Sequence, residues 1–197
     1  FYNNSVAHAP LIIFCHGYKG FKDWGAWNLL SQTFSDTGVA VVKFNFSHNG
    51  ATIEQPIDFP DLEAFGNNNF CKELDDLSLV LDWIESCKEL KGEIDTSKIS
   101  LFGHSRGGSI AMLKTAEDSR VANVIAWASP SNFLDRLPKG EKLEKNILRD
   151  LAGTRSAFSP NFFIICRSFR NNRSEINFEE KRRLFIFTGM ASTSFQL

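Results

Sequence analysis

The sequence has little of several features that mark special classes of protein. Its 22 Lys and Arg residues nearly balance 23 Asp and Glu residues, which gives a net charge of −1. No electrostatic case for binding nucleic acid or an anionic membrane surface follows from that balance. No apolar run approaches the length of a membrane span, and the first residues do not read as a signal peptide. We therefore expect an ordinary globular protein that binds neither nucleic acid nor a membrane.

Cysteine is also scarce, and its spacing is uninformative for metal binding. The four cysteines form no Cys-x-x-Cys pair and have no histidine nearby at a metal-ligand spacing. They are Cys15, Cys71, Cys87 and Cys166. The sequence predicts free thiols in a reducing cytoplasm, with no metal site and no organic cofactor.

A Gly-x-Ser-x-Gly motif stands near the middle of the chain. The apolar residues 99–102 lead into Gly103-His104-Ser105-Arg106-Gly107, and a helix-compatible segment follows at once. Strand, sharp turn and helix in this order are typical of a nucleophile elbow, which exposes a serine hydroxyl at a helix N-terminus. The turn strains the backbone of Ser105, so it needs small flanking residues. The alternative is a flexible Gly/Ser turn, but the strand before and the helix after favour the elbow.

Apolar runs and helical spacings alternate along the rest of the chain. Strands are predicted at residues 11–14, 39–44, 99–102 and 124–128, and helices at 27–34, 73–86 and directly after the motif. This order predicts an α/β fold with a mostly parallel sheet flanked by helices and right-handed crossovers. Ligands bind beyond the carboxyl ends of such strands, where His16-Gly17 and Ser105 converge.

Polar residues are concentrated in three segments between and on these elements. In the long irregular stretch 45–69, four residues either line a pocket or are ordinary solvated loop residues: His48, Asp58, Asp61 and Glu63. The acids of the helix 73–86 are predicted to form a solvated face: Glu73, Asp75, Asp76, Asp82 and Glu85. Residues 95–98 are predicted to form the turn into the strand before the elbow.

Together with this motif, His16-Gly17-Tyr18 after the first strand and Asn45-Phe46-Ser47 after the second resemble the α/β-hydrolase family. Within that family the pattern is most similar to dienelactone hydrolase-like and serine aminopeptidase-like esterases and peptidases. The resemblance covers roughly residues 10–130. It implies a serine hydrolase that cleaves an ester, thioester or amide of a small acyl substrate through an acyl-enzyme on Ser105.

The resemblance also assigns the residues around the nucleophile. The backbone N–H groups of Tyr18 and Arg106 would form an oxyanion hole, because two fixed donors beside the nucleophile stabilise a tetrahedral oxyanion. The remaining residues of the elbow and the oxyanion loop are His16, Gly17, Gly103, His104 and Gly107.

Three histidines are weighed as the base that activates the serine. His16 is expected to shape the oxyanion loop rather than act as the base. The side chain of His104 should point away from Ser105, so packing or hydrogen bonding is its expected role. A further possibility is that His48 swings in from the long loop as an unusual base.

The sequence departs from the family after the motif. The catalytic partners should follow the nucleophile in the order Asp or Glu, then His, yet no histidine follows His104 and no aspartate follows Asp150. Ten residues before the first strand are also too few for the usual N-terminal hairpin. We expect a chain that is truncated at both ends or carries a frameshifted tail, with little turnover. The alternative is a non-catalytic binding protein of the same fold.

The chain length fits a single domain over residues 1–197. Its well-matched core is 10–130, and residues 131–157 are predicted to be a charged cap segment. Residues 158–197 form an atypical tail, in which 161–166 and 184–188 are candidate strands. The sequence does not determine the oligomeric state.

Overall fold

The computed structural model describes residues 1–2, 6–130 and 183–187. Its strands are β1 (Ala9–Cys15), β2 (Ala40–Lys43), β3 (Ile94–His104), β4 (Val121–Trp127) and β5 (Arg183–Phe187). Its helices are α1 (Trp27–Asp36), α2 (Leu62–Gly66), α3 (Phe70–Ser86) and α4 (Arg106–Glu117), with a 3₁₀ turn at Lys88–Leu90. All of these elements belong to one compact unit. Within the described residues, no helix has the length and apolar character needed to span a membrane.

The five strands form one parallel sheet in the order β2-β1-β3-β4-β5. The predicted α/β class with a parallel sheet is confirmed. At the centre of the sheet, Ile13 pairs with Val42 on one side and Leu101 on the other. Strands buried on both faces read as continuous apolar runs, and this explains why the sequence signal at residues 11–14 was clear.

The helices cover the two faces of the sheet. In the sheet, β2 lies on one side of β1, whereas β4 lies on the opposite side of β3. The connection from β1 to β2 and the connection from β3 to β4 therefore cross the sheet in opposite directions. Right-handed connections therefore place α1 and α4 on opposite faces. On one face, Trp27 and Phe34 of α1 pack against a buried cluster that includes Phe14 and Phe102. On the other face, α4 contacts β1, β3, β4 and helix α3.

Several element boundaries differ from the sequence-based predictions, and three of the differences lie in polar segments. Helix α3 begins at Phe70, because the Asn69 side chain accepts a hydrogen bond from the Lys72 N–H at 3.0 Å and caps it one turn earlier. The predicted turn at 95–98 lies inside β3, where pairing jumps from Pro10↔Asp95 to Leu11↔Ile99. The irregular stretch 45–69 contains α2, whose N-terminus Asp61 caps. The side-chain caps Asp61 and Asn69 thus begin helices in segments that show no apolar periodicity.

Several predictions concern residues outside the described ones. The cap segment 131–157, the candidate strand 161–166 and Cys166 all lie there. The second candidate strand is confirmed as β5. Among the described cysteines, Cys15 and Cys87 are free thiols as expected, and Cys71 forms no disulfide bond.

Candidate active site

The backbone of Ser105 has the strained conformation that the motif predicts. Its φ and ψ are 53° and −123°, a region that non-glycine residues adopt at a cost of about 1–3 kcal/mol. The turn is held at both ends of the residue. The Ser105 N–H donates to the Trp127 carbonyl at 2.8 Å, and the Ser105 carbonyl accepts from the Gly108 N–H at 3.1 Å. The side chain is therefore placed between β3 and the N-terminus of α4.

The glycines of the motif are required by close contacts between backbones. A Cβ on Gly103 would overlap the backbone of Gly107 and Gly108, and a Cβ on Gly107 would overlap the carbonyls of Cys15 and His16. Helix α4 therefore begins in direct backbone contact with the carboxyl ends of β1 and β3. This close approach sets the position of Ser105.

The loop after β1 lies against Ser105. A Cβ placed on Gly17 would lie 3.0 Å from the Ser105 Cβ and 3.1 Å from the His104 carbonyl oxygen. The Gly17 carbonyl oxygen accepts hydrogen bonds from His16 Nδ1 at 3.0 Å and from the Gly20 N–H at 2.9 Å. Because a trans peptide points its C=O and N–H in opposite directions, the Tyr18 N–H points away from those two donors.

Two backbone donors near Ser105 are left without partners. Within the described residues, the Tyr18 N–H and the Arg106 N–H have no hydrogen-bond acceptor. The Arg106 N–H is one of the first N–H groups of α4, which have no acceptor within the helix. The helix dipole adds partial positive charge there. These two groups are available to an oxygen atom that comes from outside the protein.

His16 is buried, with 3% of its surface exposed. Its Nδ1 donates to the Gly17 carbonyl, and its Nε2 accepts the Phe46 N–H at 3.1 Å. Burial lowers the pKa of the ring to about 4. A neutral ring with both nitrogens occupied fits the loop-shaping role expected for His16, and it leaves no lone pair for Ser105.

Neither of the other two histidines considered at this site is hydrogen-bonded to Ser105 in the described structure. The His104 ring packs between Trp27 and Trp127, with centroids 5.1 and 6.0 Å away, and burial lowers its pKa. The Nδ1 of His48 lies 2.7 Å from the Ser47 Oγ. Among the described residues, the Ser105 Oγ itself has no hydrogen-bond partner.

One prediction about charged residues is wrong. Glu73 does not lie on a solvated face, since only 4% of its surface is exposed. Its Oε2 accepts a hydrogen bond from Arg106 Nε at 2.8 Å, and its Oε1 accepts one from Asn68 Nδ2 at 2.8 Å. Glu73 lies one turn before Leu77, in line with the apolar stripe of α3, and this spacing is the signal that sequence reasoning missed.

Two cavities open near this end of the sheet. A largely apolar one of about 380 Å³ adjoins the ring of Trp127, and it is lined by Trp24, Gly25, Ala26, Trp27, Leu29, Leu30, Thr33 and Trp127. A second one of about 530 Å³ lies along the loop after β2, beside Asn45 and Asn49. None of the loop residues considered as pocket residues lines it; Asp61 instead accepts the Ala64 N–H as a helix cap.

Solved structures with similar folds were found. Est1E from Butyrivibrio proteoclasticus, solved with ferulic acid bound, has a TM-score of 0.58 and 16% identity over 92% of this chain and 80% of its own. The alpha/beta hydrolase GrgF from Penicillium sp. sh18 has a TM-score of 0.55 and 14% identity, and the match covers 96% of this chain and 88% of GrgF. DcsB, solved with a substrate analogue, has a TM-score of 0.53 and 21% identity. The matched region is 75% of this chain but only 47% of DcsB.

Comparison with curated proteins gave no match. The model of the alpha/beta hydrolase family matches residues 12–186, which include most of β1, the whole elbow and most of β5. The narrower resemblance to dienelactone hydrolases and serine aminopeptidases stays a prediction. Because this match covers most of the sequence, and the parallel sheet with its serine turn has the architecture expected of it, the chain belongs to the alpha/beta hydrolase family.

Proposed function

We propose that this protein is a serine hydrolase that cleaves an ester, thioester or amide of a small acyl substrate through an acyl-enzyme on Ser105. The observation that carries the proposal is the setting of Ser105. Its strained backbone holds the hydroxyl at the N-terminus of α4. Two unpartnered N–H groups belong to the neighbouring Arg106 and to Tyr18, which directly follows the Gly17 that contacts Ser105.

The proposed reaction has two acyl-transfer steps. The Ser105 Oγ attacks the carbonyl carbon and forms a new C–O bond, while the C=O electron pair moves onto the oxygen. The Tyr18 and Arg106 N–H groups stabilise that oxyanion; removal of one such donor typically costs about 3 kcal/mol of transition-state stabilisation. When the C=O re-forms, the alcohol, thiol or amine leaves with the proton that Ser105 loses. Water then attacks the acyl-serine, releases the acid and restores the hydroxyl.

The base for this reaction is not found among the described residues. Both ring nitrogens of His16 are engaged, and His48 is bonded to Ser47. A serine without a base is a weak nucleophile, and a hydrolase with a broken triad keeps only the weak catalysis of its oxyanion hole and binding site. We therefore expect slow acylation of Ser105 by activated esters.

The test is turnover of p-nitrophenyl acetate and p-nitrophenyl butyrate by the full chain, with Ser105→Ala as the control. We expect slow release of p-nitrophenol that the variant lacks, and an acyl adduct on the peptide that contains Ser105 in the mass spectrum. Equal rates for both proteins, with no adduct, would contradict the proposal. Activated esters suit this test because p-nitrophenolate leaves without a proton donor. Ferulic acid, the ligand of Est1E, is a carboxylic acid, and ester hydrolysis releases a carboxylic acid.

A non-catalytic binding protein is the second candidate, and the missing base for Ser105 favours it. A fluorophosphonate probe separates the two, because the proposed hydrolase would be labelled slowly at Ser105 and its Ser105→Ala variant would not be labelled. A binding protein would stay unlabelled, and Ser105→Ala would leave its ligand affinity unchanged. We also propose a cytoplasmic location, which the free thiols of Cys15 and Cys87 support.

A further inference from the structure

The side chain of Arg106 makes two contacts with helix α3. Its Nε donates to Glu73 Oε2 at 2.8 Å. Its guanidinium carbon lies 4.3 Å from the centroid of the Phe70 ring, within the range of a cation–π contact. Phe70 and Glu73 are three residues apart in the first turn of α3, so they present one face to Arg106. The first turn of α3 thereby holds the first residue of α4.

Glu73 is itself fixed in place. Asn68 Nδ2 donates to its second carboxylate oxygen at 2.8 Å. Burial, and after it the charge of the Glu73 carboxylate, raises the pKa of the Cys15 thiol at the end of β1. Burial raises the pKa of Glu73, while the Arg106 guanidinium opposes that rise. A carboxylate this deeply buried is stable as an anion only with such partners. The ion pair therefore lies under the elbow, between α3, α4 and β1.

The ion pair between Glu73 and Arg106 bears on the site because Arg106 directly follows Ser105 in the chain. Its backbone N–H is one of the two proposed oxyanion donors, and the preceding residue is the strained Ser105. A strained conformation persists only where the surrounding structure over-determines it. Backbone bonds hold Ser105 itself, through the Trp127 carbonyl and the Gly108 N–H. Arg106, the next residue, is held through its side chain. Its hydrogen bond to Glu73 and its contact with the Phe70 ring connect it to α3.

We propose that Glu73 is a positioning residue, which acts through Arg106 to hold the Arg106 N–H and the Ser105 hydroxyl in the geometry for oxyanion formation. The inference rests on the proposed serine hydrolase function. It goes beyond that function because it assigns a role to Glu73, a buried acid on a different helix, in positioning the oxyanion donor. Glu73 touches no reacting atom, so its effect should be on the rate of acylation and not on binding of the ester.

The experiment compares the wild type with Glu73→Gln, Glu73→Asp and the double variant Glu73→Leu/Arg106→Leu. Glu85→Gln is the matched control, because Glu85 lies on the same helix and pairs with Arg120 at 3.2 Å, far along the chain from the elbow. Acylation of Ser105 by p-nitrophenyl acetate gives kcat and KM. Amide hydrogen exchange at Ser105 and Gly108, whose N–H groups are hydrogen-bonded, reports the backbone on both sides of Arg106. Thermal unfolding of each variant establishes that it is folded.

We expect Glu73→Gln to lower kcat about tenfold or more with KM within about twofold, because an oxyanion donor removed outright costs 100- to 1,000-fold. Glu73→Asp should recover part of that loss, and Glu85→Gln should match the wild type. Exchange at the Ser105 and Gly108 amides should quicken in Glu73→Gln, while exchange in β4 stays unchanged. A folded Glu73→Gln with wild-type kcat and wild-type exchange would overturn the inference and leave the proposed function intact.

Two further outcomes are also decisive. If the wild type forms no Ser105 adduct, the proposed function fails, and the exchange data alone judge the positioning role. Faster exchange at Ser105 and Gly108 in Glu73→Gln supports it, and equal exchange overturns it. If Glu73→Gln does not fold, the double variant takes its place, because removing both charges leaves no unpaired buried charge. Loss of kcat in that folded variant supports the role of the pair, and a wild-type kcat overturns it.

Discussion

The Ser105 N–H donates a 2.8 Å hydrogen bond to the carbonyl of Trp127, so the last residue of β4 holds the turn that follows β3. This bond crosses between neighbouring parallel strands at the carboxyl edge of the sheet. Trp127 also packs edge-on against the ring of His104. The serine turn is thus held by an adjacent strand as well as by its own glycines, and this explains how a strained residue persists there.

The strain at Ser105 predicts that its replacement by glycine stabilises the fold. Glycine adopts positive φ without the steric cost that a Cβ adds. Ser105→Gly should raise the free energy of unfolding by about 1 kcal/mol relative to Ser105→Ala, which keeps the Cβ. Urea denaturation of both variants measures the difference, and neither should form an acyl adduct. Equal stability, or a less stable Ser105→Gly, would show that the turn is unstrained.

The backbone contact between α4 and β1 predicts a large effect of a single methyl group. In Gly107→Ala the new Cβ would overlap the carbonyls of Cys15 and His16. We expect a loss of about 2–3 kcal/mol in the free energy of unfolding, because backbone on both sides must shift. Gly66→Ala is the matched control, since no atom lies within 4 Å of the added Cβ. If both variants unfold at the same denaturant concentration, α4 does not make this close approach.

Burial of His16 predicts that the protein loses stability in mild acid. The pKa of its ring falls from 6.5 to about 4 on folding, so the unfolded chain takes up a proton at a higher pH than the folded one. Stability is complete above about pH 6.5 and declines as the pH falls towards 4, by up to about 3 kcal/mol for this group. Burial also lowers the pKa of His104, and this acts in the same direction.

The measurement is the free energy of unfolding at several pH values, for the wild type and His16→Asn. Raised and lowered carboxyl pKa values, such as those of Glu73 and Asp118, change both proteins alike. The difference between the two curves therefore isolates His16. The wild type should have the steeper decline between pH 6.5 and 4. Parallel curves would contradict the neutral, buried state of the ring.

The N-terminal cap of α3 predicts a moderate effect at a polar residue. The side chain of Asn69 accepts the Lys72 N–H at 3.0 Å, and Asn69→Ala should cost about 1 kcal/mol of unfolding free energy. Asn67→Ala is the control, because Asn67 ends α2 and acts through its backbone groups. Chemical denaturation of both variants tests the prediction. The cap would have no energetic role if Asn69→Ala unfolded like Asn67→Ala.

Local sequence signals predicted the parts of the site that depend on the chain immediately around them. The apolar runs gave β1 and β3, and the glycines around Ser105 gave a strained turn, because both properties follow from the nearest few residues. The same reasoning failed at Glu73. It was assigned to a solvated face with the other acids of the helix, although its spacing to Leu77 indicates burial. Its partner, Arg106, is 33 positions further along the chain. No local pattern records a pairing at that separation.

The sequence by itself determined the α/β class, the serine turn and the apolar cores of its strands, because hydrophobic periodicity and glycine sterics act over a few residues. Only the tertiary structure decided what surrounds the serine. It turned the Gly17 carbonyl towards His16 and left the Tyr18 N–H without a partner among the described residues. It also buried Glu73 under the elbow. The contact of Gly17 with Ser105 and the pairing of Glu73 with Arg106 join segments that are distant in the chain and meet only when the parallel sheet forms.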